Sequence, residues 1–410
     1  MISLVYSHYE SSLGALSAIY FMALIINSLL VISSAVFFIE VVLAIASTKS
    51  SSRESGQFTR PRIAVVVPAH NESTGVIPTL ADVNNQLIAG DRLLLIADNC
   101  NDDTAAVASA AGAEVAERNN YNKVGKGYAL EWGIRHIAAD HPDIVIMIDA
   151  DSRLEPHALD RLSYAVATTG RPVQALYLMT SPDVSSINFQ VAEFAWRVKN
   201  WLRPLGLSVL NLPCQLAGNG MAFPWDVIRT AAVGNGNIVE DLHLGIELAM
   251  GGHKPLFCPS AKVTSQFAAS RRGAETQRGR WEQGHLRMIV SSAATLVIRS
   301  IVQRDWHLLA MALDLTILPL TLLTLSIFIM FVISLCFAMS GFNSYIVWLN
   351  GVSLITFVAA ILSAWLECGK DILPLHEIPK IVSYVLWKFK LYVRMLGSKN
   401  KVEWIRTERK

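Results

Sequence analysis

"VIMIDADSRL", residues 145–154, climbs through apolar residues and then sets two aspartates one residue apart. An apolar run of this kind predicts a buried strand, with Asp149 and Asp151 where it ends. Alternation along an extended chain points those two side chains the same way. Two carboxylates this close repel, and each is costly to desolvate. As hard oxygen ligands they suit Mg²⁺ or Mn²⁺, with phosphate oxygens completing the shell. Taken alone, such a pair also fits a solvated turn that caps a helix.

Working outward, "RIAVVV" predicts a strand, followed by a helical stretch near residues 79–89. "RLLLIA" predicts another, followed by "DDTAAVASAAG", a helix with Asp103 as expected cap and Gly112 as its stop. "AEVAE" is a short strand ahead of the helical "KGYALEWGIRHIAAD". This alternation predicts an α/β fold, a doubly wound and mostly parallel sheet. Ligands in such sheets bind beyond the carboxyl ends of the strands. The polar segments "PAHNES", "DNCNDDT" and "DADS" should therefore converge on one crevice. A G-x-G-x-x-G after the first strand would mark a dinucleotide fold, and "PAHNES" stands there instead.

Further candidates each have an ordinary structural alternative. Asp98 can accept hydrogen bonds from a base edge or ribose. Lys126, in "NKVGKGYAL", can meet phosphates or simply open a helix. Asn219 and Gly220, in "LAGNGMAF", allow close ligand approach or form a tight turn. Glu240 and Asp241 head an amphipathic helix, where acids complement the dipole or one acts as general base. Gln277, Arg280 and Trp281, in "TQRGRWEQGH", combine a pyrophosphate-binding guanidinium with a flat packing face. A snorkelling interfacial helix is their alternative.

The order of these motifs resembles the family 2 glycosyltransferases, inverting enzymes with a nucleotide-sugar-binding α/β core of the glycosyltransferase A type. The resemblance is strongest to the membrane-bound branch of cellulose, hyaluronan and poly-N-acetylglucosamine synthases and ceramide glucosyltransferase. It runs from "PAHNES" through "ADNCNDDT", "DADS", "GNGMAF" and "VED" to "QRGRW", which fits Q-x-x-R-W. It implies that Ala69 and Glu72 line the nucleotide pocket and that Asp98 contacts the base. Asp149 and Asp151 would hold the nucleotide and its metal, Mg²⁺ or Mn²⁺. Asn219 and Gly220 would border the acceptor site, and Asp241, with Glu240 beside it, would be the base. Gln277, Arg280 and Trp281 would grip the diphosphate and the acceptor end. Where the synthases carry "TED", this chain has "VED".

The chain of 410 residues is 52% hydrophobic and 17% charged. The excess apolarity lies in three runs, residues 15–46, 308–339 and 345–366, each long enough for about 20 residues of membrane helix. Lys49, Arg53, Arg60 and Arg62 follow the first run, and Lys370, Lys380, Lys388, Lys390 and Arg394 follow the third. That bias predicts a plasma-membrane protein with its N-terminus outside and its middle region and tail in the cytoplasm. The expected division is an anchor (1–48), a linker (49–62), a catalytic domain (63–285), an interfacial helix (286–306), two membrane helices (307–367) and a basic amphipathic tail (368–410). The tail either lies on an anionic leaflet or packs on the catalytic domain. A net charge of +2 implies no nucleic-acid partner. Five scattered cysteines imply neither a disulfide framework nor a zinc site.

The expected partners are a nucleotide-sugar donor, a lipid-linked or glycan acceptor and membrane lipids, with a homo-oligomer compatible. The expected reaction is single transfer in surface polysaccharide or glycolipid synthesis. A processive synthase subunit is the nearer alternative. A catalytically silent nucleotide-binding subunit of an export complex is the alternative from another class.

Overall fold

The computed structural model describes residues 2–47, 59–234, 236 and 239–397. The expected linker as far as residue 58, and the tail beyond residue 397, lie outside the described residues. The strands are β1 (Ile63–Ala69), β2 (Arg92–Asp98), β3 (Glu114–Arg118), β4 (Ile144–Met147), β5 (Arg153–Leu154), β6 (Val173–Thr180), β7 (Met221–Pro224) and β8 (Leu256–Gln266). They form one sheet in the order β3-β2-β1-β4-β7-β6-β8-β5.

The half from β3 to β4 is parallel and doubly wound, as the alternation of strands and helices predicts. Beyond β4 the sheet is mixed, with β7 antiparallel to both β4 and β6. Apolar side chains cover both faces. In β1, Ile63, Val65 and Val67 join one core while Ala64 and Val66 join the other. Burial on both sides explains why these strands read as continuous apolar runs.

The helices of the sheet domain are α2 (Ile77–Asn84), α3 (Thr104–Ala110), α4 (Lys126–His136), α5 (Ala158–Thr169), α6 (Ile187–Arg197), α7 (Arg203–Val209), α8 (Trp225–Ile228) and α9 (Glu240–Met250), following the long N-terminal α1 (Ile2–Ser47). A π-helical turn, Val198–Leu202, joins α6 to α7. At the start of α3 the expected cap is displaced by one residue. Asp103 makes no side-chain capping bond, and Asp102 instead accepts from the Thr104 backbone N–H at 3.1 Å.

The remaining helices are α10 (Arg271–Gln303), α11 (Trp306–Leu315), α12 (Leu320–Met339), α13 (Tyr345–Cys368) and α14 (Ile378–Gly397). Two expectations are corrected here. The boundary placed at residue 285 falls inside α10, because no proline interrupts residues 271–303. The apolar run 308–339 is two helices, since Pro319 separates α11 from α12. Among the described residues four helices, rather than three, are long and apolar enough to cross a membrane: Gly14–Ser47, Gly273–Gln303, Leu320–Met339 and Tyr345–Cys368.

The apolar helices are fastened to the sheet domain by a buried ion cluster. Arg203 of α7 donates from Nε to Glu40 of α1 at 2.9 Å and is paired with Asp314 of α11. Gln215 completes the cluster by donating to Asp314 at 2.7 Å. Gly206 lets α7 approach this closely, because a Cβ there would overlap the Glu40 carbonyl. Within the apolar bundle, Asn350 of α13 donates to Asn27 of α1 at 2.7 Å, a polar tie of the kind that joins helices in lipid. The second half of α14 is tied to α10: Lys388 pairs with Glu282 of α10, and Tyr392 donates to the same carboxylate at 2.9 Å.

Candidate active site

One cleft of about 380 Å³ opens beyond the carboxyl ends of β1, β2 and β4. The end of β1 contributes Ala69 and Glu72, β2 contributes Asp98, and the turn after β4 contributes Asp149 and Asp151. Lys126 of α4, Glu240 and Asp241 of α9, and Gln277, Arg280 and Trp281 of α10 complete the wall. Eleven of the thirteen residues singled out in the sequence thus meet in one place.

Asn219 and Gly220 do not line the cleft, and their expected place at the acceptor site is corrected. Asn219 is wholly buried. It accepts from the Asp149 backbone N–H at 3.1 Å and donates to Ser152 Oγ at 2.7 Å. It therefore fixes the strand end that carries the aspartates. Gly220 lies against Ala175 and Val263 in the core. The residue of that motif facing the cleft is Gly218, whose carbonyl accepts from Lys126. Its φ is +82°, and a Cβ there would lie 2.9 Å from the Asp241 carboxylate. Only glycine satisfies both constraints.

The electrostatics centre on Lys126, which pairs with Asp149 and also faces Glu240 and Asp241. Burial would lower its pKa, but Asp149 and Glu240 outweigh burial and raise it. Burial lifts the Asp241 carboxyl above its ordinary value. Burial, and then the neighbouring Asp241 charge, push Glu240 up to about 7. Both sit at the start of α9, where the helix dipole favours the anion and burial opposes it. Asp98 is already engaged: one of its carboxylate oxygens takes Arg118 and Asn99.

Trp281 packs against Trp196 with ring centroids 5.0 Å apart, and the Trp196 N–H donates to the Tyr177 carbonyl at 3.0 Å. Gln277 Oε1 is buried with no hydrogen-bond partner among the described residues. Such an atom is costly to leave dry, and a ligand in the cleft would satisfy it. Sequence reasoning missed Trp196, Lys199, Asn200 and His285, which also line the cleft. The aromatic and basic residues of "WRVKNW" were the available signal.

Among the described residues no group of three or more His, Cys, Asp or Glu side chains gathers as a metal site. The two oxygen ligands of Asp149 and Asp151 still fit a Mg²⁺-like ion. Such an ion commonly takes one or two carboxylates and fills its shell with water and substrate phosphates.

Residues 61–284 match the family described as glycosyltransferase like family 2, more than half of the chain, and the protein belongs to that family. It is 24% identical over 256 residues to the Bacillus subtilis protein named "Probable glycosyltransferase YdaM", 57% of each chain. It is 38% identical over 104 residues to glucosyl-3-phosphoglycerate synthase of Mycobacterium tuberculosis, 24% of this chain and 31% of that one. The match thus spans little more than half of the first relative and a third of the second. A glycosyltransferase of Mycobacterium bovis described as uncharacterized is 33% identical over 192 residues, 43% of this chain and 82% of its own. Among solved structures, a mannosyltransferase from Pyrobaculum calidifontis in complex with GDP-Man and Mn²⁺ aligns at 16% identity and TM-score 0.46, over 84% of this chain and 99% of its own.

Proposed function

We propose that the protein transfers a sugar from a nucleotide-diphospho-sugar, a UDP-sugar in the first instance, to a lipid-linked or glycolipid acceptor at the cytoplasmic face of the plasma membrane, with inversion. The observation that carries this reading is the convergence, in one cleft, of two strand-end aspartates, a buried acidic pair and the Gln277, Arg280 and Trp281 set. Family membership supports it.

In this reading Ala69, Glu72 and the Asp98 edge receive the nucleoside. Asp149 and Asp151 would hold a divalent cation, which when bound supplies positive charge to the donor diphosphate. Arg280 stabilises the charge that develops on the departing diphosphate. Asp241 takes the proton from the acceptor hydroxyl, and its raised pKa suits it to that task near neutral pH. Glu240 is its like-charged neighbour, held protonated to higher pH by burial and by the Asp241 charge. The hydroxyl attacks from the face opposite the leaving group, so the anomeric centre inverts without a covalent intermediate. Trp281, backed by Trp196, gives the acceptor sugar a flat face. The apolar helices fastened to the domain through Arg203 favour an acceptor drawn from the membrane.

The test is Asp241→Asn in the full-length protein. Transfer should fall by at least about 10²-fold, the scale of general-base catalysis, while nucleotide-sugar binding persists. Unchanged turnover would remove Asp241 as base. No turnover in the unsubstituted protein with any donor and membrane lipid would favour the silent-subunit alternative.

A further inference from the structure

Beside the main cleft lies a smaller cavity of about 110 Å³. Its far wall is built from the apolar helices, with Phe37 of α1 and the α11–α12 break at residues 317–321, and Ala195 of α6 and Tyr384 of α14 border it. Its charged lining, Arg203, Arg278 and the Glu282–Lys388 pair, is already engaged by other groups of the protein. Its near wall is Trp196, Lys199, Trp281 and His285, which also line the main cleft. The two spaces are therefore neighbours across those four side chains, one facing the sheet and the other the apolar bundle.

Lys199 stands at the junction, on the π-helical turn between α6 and α7. Such turns recur at functional sites because they push side chains out of helical register. Lys199 makes no direct ion pair or hydrogen bond with any described residue, although the Asp241, Asp314 and Glu282 carboxylates act on it from a distance, while Arg203 four residues on is fully engaged. The next residue, Asn200, is 7% exposed, and its side-chain Nδ2 has no hydrogen-bond partner among the described residues. It too lines the main cleft. A cation and an unsatisfied amide donor side by side make a seat for an oxyanion. Burial lowers the Lys199 pKa, and an anion beside it would restore the charged form.

We propose that Lys199 and Asn200 hold a phosphate of the acceptor, and that the acceptor's hydrocarbon chain occupies the side cavity and leaves toward the apolar helices. This rests on the transferase reading and names its acceptor class: a lipid bearing phosphate next to its chain, with the nucleophilic hydroxyl beyond the phosphate, toward Asp241. Charge complementarity and continuity with the cleft select this occupant. An uncharged lipid would leave Asn200 Nδ2 unanswered and Lys199 without a direct hydrogen-bond acceptor, and a free phosphate would leave the apolar part of the wall empty.

The test uses the full chain in phosphatidylcholine nanodiscs, with farnesyl phosphate and farnesol as probes, each carrying a terminal diazirine, and inorganic phosphate as competitor. Farnesyl phosphate should bind at least tenfold more tightly than farnesol and crosslink around Ala195 and residues 317–321. Lys199→Gln should abolish that preference, Asn200→Ala should reduce it, and Ala195→Trp should exclude both probes. Ala195→Trp, which lies outside the main cleft, should bind UDP within twofold of the unsubstituted protein. Equal binding of the two probes, crosslinks confined to the lipid-facing surface, or displacement by inorganic phosphate as potent as by farnesyl phosphate would overturn the proposal. Failure of UDP to bind at all would strike the transferase reading instead and leave the lipid result standing.

Discussion

Lys126 is ion-paired with Asp149 while its ammonium also bonds the Gly218 carbonyl, so a single cation ties one strand-end aspartate to the turn before β7 and faces the acidic start of α9. The same lysine lowers the pKa values of Glu240 and Asp241. Lys126→Met removes a charge-assisted hydrogen bond worth about 1.5–3 kcal/mol. Turnover at neutral pH should fall about 10- to 100-fold, and the pH–rate profile should move to higher pH. Steady-state rates measured from pH 5.5 to 9 check both effects.

The acidic pair sets the pH dependence. Asp241 works as a base only when deprotonated, and its pKa is raised, so kcat should rise with pH and level off on the alkaline side. The two carboxyls titrate as a pair, with Glu240 near 7. The midpoint should therefore lie above the ordinary carboxylate value of about 4. Because the Asp241 charge raises Glu240, Asp241 ionises first, and Glu240→Gln should leave the midpoint in place. A flat profile across this range in the unsubstituted protein would contradict the assignment.

How much of this was legible in the sequence depended on whether the signal was local. The ends of β1, β2 and β4 were readable because each apolar run stops abruptly at polar residues, and the sheet then brings those ends together. Gln277, Arg280 and Trp281 were readable as a spaced set on one helix. Asn219 was misjudged because a flanked asparagine looks the same whether it faces ligand or core. Its burial follows from the pairing of β7 with β4, a long-range fact. Lys199 and Asn200 were missed for a related reason: "WRVKNW" marks them as polar residues among aromatics, but their orientation depends on a π-helical turn and on helices distant in sequence. The break at Pro319 was visible as a residue, yet the surrounding hydrophobicity masked it.

Cation dependence offers a separate test. Asp149 and Asp151 present two carboxylates and one neutralising lysine. Excess EDTA should abolish turnover and weaken nucleotide-sugar binding at least tenfold, with Mg²⁺ or Mn²⁺ restoring both. Asp151→Asn should raise the cation concentration needed for half-maximal rate. Calorimetric titration of UDP with and without added cation reads this independently of turnover.

The Arg203 cluster predicts a stability effect rather than a chemical one. Arg203→Met strands Glu40 and Asp314 as buried acids without their cation. Breaking a buried pair this way costs about 3–5 kcal/mol. The melting temperature in detergent should drop clearly. Replacing Glu40, Arg203 and Asp314 together by apolar residues should recover most of the loss, which separates a stranded charge from lost packing.

The most direct measurement is nucleotide release by the full-length protein in nanodiscs made with native lipid extract, across a panel of nucleotide sugars, with Asp241→Asn as the blank. Release with one donor, dependent on divalent cation and on added lipid, and absent from the blank, is the predicted result. Equal release by Asp241→Asn, or no release from any donor that binds, would contradict the claim that this cleft performs sugar transfer.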